Sequence, residues 1–249
     1  MIHLDKIYLS ETVTKSYAFR YDKKNTKRPS WILFEELPKN VQFIKILKEN
    51  EPFWYRRYFE SYFFPLLNEP VDYKNYYDEI SQRYDLMVPQ NELIGNFLLS
   101  SFKKYKIPQK TLCLDIGAGT GIISEILANG GYKSLELLDI SKKCLSFAKK
   151  RESLKNCKFL HANILEYNEK QKYSLIFSSM ALDYFTSDQR KKIAFVIEKH
   201  LQKGGYFFYV DRHIYPEFTT HLHLIEQKSF ELQTKEGAFK YFLYIGKKK

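Results

Sequence analysis

The chain has 249 residues, of which 44% are hydrophobic and 28% charged, and its formal net charge at pH 7 is +11. This composition excludes a disordered chain, and 10 glycines and 8 prolines without a repeating period exclude collagen-like and solenoid folds. No apolar run reaches the roughly 18 residues that span a bilayer, so the sequence predicts no membrane association. Three cysteines without a CxxC pair, and a first segment unlike a secretory signal, predict a cytoplasmic location.

Residues 1–106 have the pattern of a mainly helical extension. Short strands are predicted at residues 2–9 and 16–21, followed by a basic stretch at residues 23–28. Helical segments with prolines near their ends are then predicted at residues 41–48, 52–67, 73–83 and 91–104. We expect this extension to pack against the mouth of a second domain formed by residues 107–249.

The second domain has the alternating pattern of a parallel α/β sheet. Strands are predicted at residues 111–115, 134–138, 157–160, 174–177 and 206–210, and helices at residues 122–129, 141–154, 187–201 and 215–227. Two last strands, at 230–233 and 240–245, are joined through residues 235–237 as an antiparallel hairpin. The predicted fold is therefore α/β, with a Rossmann-like seven-stranded, mostly parallel sheet and a C-terminal antiparallel hairpin.

Positive charge is concentrated in one segment of this domain. Most such segments are solvated helix faces, but a surface for nucleic acid or an acidic substrate is the alternative. The residues concerned are Lys142, Lys143, Lys149, Lys150, Arg151, Lys155 and Lys158.

Three glycines follow the first predicted strand of the domain at a spacing of two. Gly117, the first of them, follows Asp115 by two positions, and Gly117, Gly119 and Gly121 open the next helix. Glycine at such a turn lets a ligand approach the backbone closely. In a dinucleotide-binding loop the third glycine would stand at position 122, but this chain has Ile122 there. An acid before the loop would repel a pyrophosphate, so Asp115 indicates a ligand with a positive amino group.

This segment resembles the first motif of the class I S-adenosylmethionine-dependent methyltransferases, and the resemblance continues to the C-terminus. It implies a methyltransferase with S-adenosylmethionine as cofactor and S-adenosylhomocysteine as product. Near the methionine part of the cofactor, it places Asp115, Gly117, Ala118, Gly119 and Gly121.

Further motifs of the family follow in order. The resemblance implies that Asp139, at the end of the second strand, accepts hydrogen bonds from the ribose hydroxyls. Asn163 stands where the family has an aspartate that binds the adenine amino group, and Ile140 and Ile164 would flank the adenine ring. Ser178 lies at the fourth strand, which leads to the methyl acceptor.

A tyrosine-rich segment precedes the domain. Residues 76–85 resemble the segment that covers the cofactor in many small-molecule methyltransferases, and Tyr84 would then reach the methionine end. The alternative is that these tyrosines pack an amphipathic helix against the domain.

Three residues are candidates for the acceptor side. Asp183 and Tyr184 follow the fourth strand and His213 follows the fifth, at the carboxyl edge where ligands bind in open α/β folds. His213 is either a general base or a surface residue. The pair His221 and His223 is not expected to bind a metal, because residues two apart on a helix point in different directions.

The sequence alone is compatible with three functions. The first is methyl transfer to a small molecule, the second is methyl transfer to RNA or protein, and the third is a non-catalytic protein on the same fold. The chain lacks the (D/N/S)-P-P-(Y/F/W) motif that is usual in enzymes that methylate base amines. Cytosine C5 methylation needs a nucleophilic cysteine, commonly in a Pro-Cys pair, and none of the three cysteines follows a proline. Nucleic acid is therefore a disfavoured partner, and a small-molecule acceptor is preferred.

Overall fold

The computed structural model describes residues 7–8, 19–20, 73–82, 84–88, 90–234 and 237–249. The chain divides into two compact units, Met1–Val71 and Asp72–Lys249. In the first unit, the described residues form two short antiparallel strands, β1 (Ile7–Tyr8) and β2 (Phe19–Arg20). The helices predicted at 41–48 and 52–67 and the basic stretch at 23–28 lie outside the described residues.

The second unit contains a seven-stranded sheet. Its strands are β3 (Cys113–Ile116), β4 (Leu135–Asp139), β5 (Lys158–His161), β6 (Tyr173–Ser179), β7 (Leu201–Asp211), β8 (His223–Thr234) and β9 (Gly237–Lys247). Their order in the sheet is β5-β4-β3-β6-β7-β9-β8, with β3 to β7 parallel and β8 and β9 antiparallel. The predicted Rossmann-like sheet with its antiparallel C-terminal hairpin is therefore confirmed.

Helices cover both faces of this sheet. They are α1 (Tyr73–Ile80), α2 (Tyr84–Met87), α3 (Gln90–Lys104), α4 (Ile122–Asn129), α5 (Lys142–Ala148) and α6 (Ser187–His200). Alternate residues of one strand enter the two cores, as Phe208 and Val210 do on one face and Phe207 and Tyr209 on the other. The central strands are buried on both faces, as expected for parallel strands between helix layers.

Helix α3 belongs to the unit that contains the sheet. Ile94, Leu98 and Phe102 are fully buried in the same core as α4 and α5. The division by contacts thus falls before Asp72 rather than near residue 107, because residues 90–104 bury their apolar side in the core of the second unit.

Two predicted helices differ in the structure. The helix predicted at 215–227 is wrong: residues Pro216–Thr220 form a short 3-10 turn, and β8 begins at His223. The pairing of β8 with β9 along its whole length overrides the local pattern, and His221 and His223 do not share a helix. The helix predicted at 141–154 ends at Ala148, and a 3-10 turn follows at Glu152–Leu154.

Within the described part of the chain, no helix has the length and apolar character needed to cross a bilayer. The three cysteines are free thiols.

Candidate functional site

The glycine loop between β3 and α4 adopts a backbone conformation that favours glycine. Gly117, Gly119 and Gly121 have φ angles of +74°, +55° and +78°. A Cβ atom on Gly121 would lie 2.8 Å from Ala148 Cβ and 2.9 Å from Leu154 Cδ1, so this position also requires close packing. The first turn of the loop is tied to β4, because the backbone N–H groups of Gly117 and Ala118 both donate to the carbonyl oxygen of Leu138.

Asp139 braces the middle of this loop from the end of β4. Its Oδ2 atom accepts a hydrogen bond from the Gly119 N–H at 2.7 Å, and its Oδ1 atom accepts one from the Ser141 N–H at 2.7 Å. Burial raises the pKa of Asp139, while these two backbone hydrogen bonds act in the opposite direction. Each carboxylate oxygen can accept more than one hydrogen bond, so Asp139 retains capacity for ligand hydroxyls.

Asp115 is a second buried carboxylate beneath the loop. Its side chain accepts a hydrogen bond of 2.6 Å from the hydroxyl of Ser124 in α4. Burial raises the pKa of Asp115 to about 7, the bond from Ser124 lowers it, and the charge of Asp139 raises it further. A positively charged group placed beside Asp115 would favour its ionised form.

The predicted adenine-side residues lie after β4 and β5. Asn163 Oδ1 accepts a hydrogen bond of 3.0 Å from the Leu165 N–H and caps the 3-10 turn Ile164–Glu166. Ile164 is buried and Ile140 is half-buried. The hydroxyl of Ser178 is also buried and donates to the carbonyl oxygen of Ile116 at 3.0 Å, which links β6 to β3.

Two aspartates fasten the segment before α3 to the sheet domain. Asp78 Oδ1 in α1 accepts hydrogen bonds from the Ser141 hydroxyl at 2.6 Å and from the Lys143 N–H at 3.1 Å. Asp85 in α2 accepts a hydrogen bond from the Thr120 hydroxyl and forms a salt bridge with Arg151.

Arg151 extends this connection under the glycine loop. Its Nε atom donates to the carbonyl oxygen of Thr120 at 2.7 Å, and its guanidinium also pairs with Glu125 of α4. The Arg151 side chain is 18% exposed, whereas those of its partners Asp85 and Glu125 are 40% and 30% exposed.

A cluster of four tyrosines connects the glycine loop with the acceptor side. We call Tyr73, Tyr77, Tyr84 and Tyr184 the tyrosine cluster. Tyr84 Cε1 lies 3.7 Å from the position that a Cβ on Gly119 would occupy. The centroid of the Tyr77 ring is 5.8 Å from that of Tyr84 and 5.9 Å from that of Tyr184, and those of Tyr73 and Tyr184 are 5.0 Å apart. Burial raises the pKa of both Tyr73 and Tyr84, so their hydroxyls stay protonated.

The predicted acceptor-side residues Asp183 and His213 form a hydrogen-bonded pair. Asp183 Oδ1 lies 3.0 Å from His213 Nδ1 and accepts a second hydrogen bond of 3.0 Å from the hydroxyl of Tyr215. Because an ionised carboxylate only accepts hydrogen bonds, Nδ1 is the donor in this contact, and Nε2 of a neutral imidazole would offer a lone pair to a ligand. The His213 side chain is 65% exposed.

Asp211 supports this region from the end of β7. It is fully buried, and its two oxygens accept hydrogen bonds from the N–H groups of Leu182 and Arg212. Burial, followed by the charge of Asp183, raises the pKa of Asp211 to about 7. Nearby, Met180 adopts a left-handed φ of +54°, a conformation that non-glycine residues rarely adopt and that concentrates at functional sites.

Several of these residues are not among those predicted from the sequence. Asp211 could have been found as an acid at the end of an apolar strand. The contacts of Asp78 and Arg151 carry no local signal, because their partners lie more than twenty residues away.

These residues fit the cofactor that the resemblance implies. The loop gives a ligand close access to the backbone at Gly119, Asp139 offers oxygens to a pair of hydroxyls, and Asp115 offers a negative charge to an amino group.

Comparison with known proteins identifies the class of this domain. Residues 113–205 match the family model described as "Methyltransferase domain". The match includes the glycine loop, Asp115, Asp139 and Asp183, and the predicted methyltransferase class is confirmed for this segment.

Two curated relatives illustrate the similarity. Malonyl-[acyl-carrier protein] O-methyltransferase 1 from Ilyobacter polytropus is 32% identical over 116 residues, which are 46% of this chain and 40% of the relative. Alpha N-terminal protein methyltransferase 1 from Schizosaccharomyces pombe is 25% identical over 104 residues, which are 41% of this chain and 48% of the relative. The chain thus spans less than half the length of these relatives.

Solved structures show the same fold. The glycopeptide N-methyltransferase MtfA, complexed with S-adenosyl-L-homocysteine, matches with a TM-score of 0.52 at 13% identity. The match covers 61% of this chain and 89% of the MtfA chain. The DhpI complex with the same compound matches with a TM-score of 0.51 at 14% identity, and the match covers 70% of this chain and 94% of the DhpI chain.

Proposed function

We propose that this chain transfers a methyl group from S-adenosylmethionine to a small-molecule acceptor. The observation that carries the proposal is the hydrogen bond between the Gly119 N–H and Asp139, within a segment that matches a methyltransferase domain. This bond joins a ligand-accessible loop to an acid with spare acceptor capacity. The two structural neighbours contain S-adenosyl-L-homocysteine, which supports the same cofactor here.

The cofactor residues in this proposal have separate tasks. Asp115 and the backbone from Gly117 through Ala118 and Gly119 to Gly121 would hold the methionine part, with Tyr84 above the loop. Asp139 would bind the ribose hydroxyls, and Ile140, Ile164 and Asn163 would surround the adenine. Ser178 keeps β6 in register with β3 below the site. When bound, S-adenosylmethionine supplies a methyl group activated by attachment to a positively charged sulfur.

The acceptor side of the proposal consists of Asp183, Tyr184 and His213. Methyl transfer requires alignment of the acceptor in a dry site, and proton removal is needed only if the acceptor arrives protonated. The tyrosine cluster would exclude water and orient the acceptor. His213, held by Asp183, would take a proton through Nε2.

A small acceptor is favoured over a macromolecule by the covering segment. Asp78 and Asp85 fasten α1 and α2 to the glycine loop and to α5, so the tyrosine cluster lies over the approach to the loop. The malonyl-[acyl-carrier protein] methyltransferase and the glycopeptide N-methyltransferase act on a carrier-bound group and a glycopeptide, respectively, by their names. A cytoplasmic location is also proposed, and the three free thiols support it.

The test is transfer of label from S-adenosylmethionine carrying a radioactive methyl group. The purified chain is incubated separately with a fraction of small metabolites and with RNA. We expect labelled product from the small-metabolite fraction and none from Asp139→Ala. Label in RNA alone would contradict the small-molecule proposal.

A further inference from the structure

We propose that the methyl acceptor is an amine that binds as its ammonium ion against Asp183, beside the rings of Tyr73 and Tyr184. This inference rests on the proposed function and names the substrate class of that site. It is carried by the free oxygen of Asp183, by the aromatic rings around it, and by the charge of the site.

The Asp183 carboxylate has one oxygen available for a ligand. His213 Nδ1 and the Tyr215 hydroxyl both contact Oδ1, at 3.0 Å each. Within the described part of the chain, Oδ2 has no hydrogen-bond donor. The two contacts on Oδ1 fix the orientation of the carboxylate, and the side chain is 29% exposed, so Oδ2 is held in place and accessible.

The tyrosine rings supply a surface suited to a cation. A cation is attracted to the face of a tyrosine ring within about 6 Å of its centroid. The rings of Tyr73 and Tyr184 have centroids 5.0 Å apart with planes inclined at 58°, and Tyr77 approaches Tyr184 at 82°. This inclination forms a corner rather than a stack. Tyr184 directly follows Asp183 in the chain, and the negative charge of Asp183 contributes, after burial, to the raised pKa of Tyr73.

The hydroxyl of Tyr73 adds a second polar contact. Its oxygen is buried and has no hydrogen-bond partner among the residues that the structure describes. Such groups are rare because an unpaired buried hydroxyl costs free energy. An ammonium ion has several N–H donors, so one can bond to Asp183 Oδ2 and another to the Tyr73 oxygen.

The charges around the site also favour a cationic acceptor. The charge of Asp183 raises the pKa of Asp211, and a bound cation relieves this repulsion. Arg190 is engaged with Glu217 at 3.2 Å and lies over the ring of Tyr215, and the charge of Arg212 acts on Asp211. A carboxylate acceptor would instead meet the negative charge of Asp183.

The pair of Asp183 and His213 then has a defined task. The bound ammonium has no lone pair to accept a methyl group until it loses a proton. In the proposed step one N–H bond of the ammonium breaks, its electron pair stays on the nitrogen, and the proton passes through one water molecule to His213 Nε2, which lies on the far side of the imidazole from Asp183. The resulting imidazolium is stabilised by Asp183, and His213 later releases the proton to water, to which its exposed edge has access.

The test compares three probes that share a benzyl or phenyl ring and differ in charge. Benzylamine, benzyl alcohol and benzoate are titrated calorimetrically at pH 7.5 into the full chain saturated with S-adenosylhomocysteine. We expect benzylamine to bind about tenfold more tightly than benzyl alcohol, and benzoate to bind most weakly. Asp183→Asn should abolish the preference for benzylamine, and Tyr73→Leu should weaken benzylamine but not benzyl alcohol. Asp188→Asn, which removes an exposed acid on α6, is the matched control and should leave the order of the probes unchanged.

The outcomes separate this inference from the proposed function. If S-adenosylhomocysteine binds but benzylamine does not, or benzoate binds as tightly, the amine inference is wrong and the methyltransferase proposal stands. If S-adenosylhomocysteine does not bind, the proposed function is wrong. An Asp183→Asn variant that keeps its affinity for S-adenosylhomocysteine is folded, so an unchanged preference for benzylamine in that variant would also overturn the inference.

Discussion

The Gly119 N–H and the Asp139 Oδ2 atom are joined by a hydrogen bond of 2.7 Å across twenty positions of the sequence. The carboxylate that is expected to bind the ribose therefore also fixes the loop that is expected to bind the methionine part. Loss of this side chain removes a ligand contact and a brace of the loop together.

The glycine at position 121 is expected to be essential for stability. In Gly121→Ala, the new Cβ would be 2.8 Å from Ala148 Cβ at a φ of +78°, so both strain and overpacking arise. We expect the free energy of unfolding to fall by about 2–4 kcal/mol in urea denaturation. The control is Gly204→Ala, which has a similar φ of +75° but no atom closer than 4.0 Å, and should lose only about 1–2 kcal/mol. Equal losses would show that packing against Ala148 contributes nothing.

Arg151 is expected to stabilise α2 on the glycine loop. Arg151→Ala leaves Asp85 and Glu125 without their shared cation and should destabilise the fold by about 1–3 kcal/mol. Hydrogen exchange at residues 84–88 should become faster. Lys155→Ala breaks an exposed pair with Glu152 and should change the stability by less than about 1 kcal/mol. Unchanged exchange at residues 84–88 in Arg151→Ala would contradict the proposed anchoring.

Asp115 is expected to make the stability depend on pH. Its pKa is about 7 in the folded protein against an ordinary value of 3.8, so between these values the folded state holds a proton that the unfolded state has released. The free energy of unfolding therefore decreases as pH rises from about 4 to about 7 through this group. Asp211 contributes in the same direction.

Urea denaturation at pH 5 and pH 7.5 measures this effect. Asp115→Asn should show a smaller decrease between the two pH values than the unmodified chain. Asp188→Asn, at an exposed site, should show the full decrease. The interpretation fails if Asp115→Asn and the unmodified chain decrease equally.

His213 is expected to act on turnover and not on cofactor binding. Once an acceptor is found, His213→Gln should lower kcat by about 100-fold or more, because the proton acceptor is lost. The affinity for S-adenosylhomocysteine, measured by calorimetry, should change less than about twofold. Full activity of His213→Gln would assign this histidine to the surface.

The sequence predicted those parts of the molecule that local patterns determine. Helix α4 was predicted with its correct bounds, because the glycines end one element and start the next. The predicted strand near Asp139 and the terminal hairpin were also correct.

The sequence could not predict features that depend on distant partners. Residues 215–227 have a helical spacing of apolar residues, yet pairing with β9 makes residues 223–227 part of strand β8. The hydrogen bond of Asp78 to Ser141 spans 63 positions and that of Asp85 to Thr120 spans 35. Asp183 and His213 were predicted as separate candidates at one sheet edge, and only the structure shows that they are in contact.

Calorimetric titration of the full chain with S-adenosylhomocysteine tests the central claim most directly. We expect a dissociation constant of about 1–100 μM for the unmodified chain and for Asp188→Ala. Asp139→Ala should bind about tenfold to a hundredfold more weakly, because hydrogen bonds to a charged carboxylate are lost. No binding to the unmodified chain, or equal binding by a folded Asp139→Ala variant, would contradict the account.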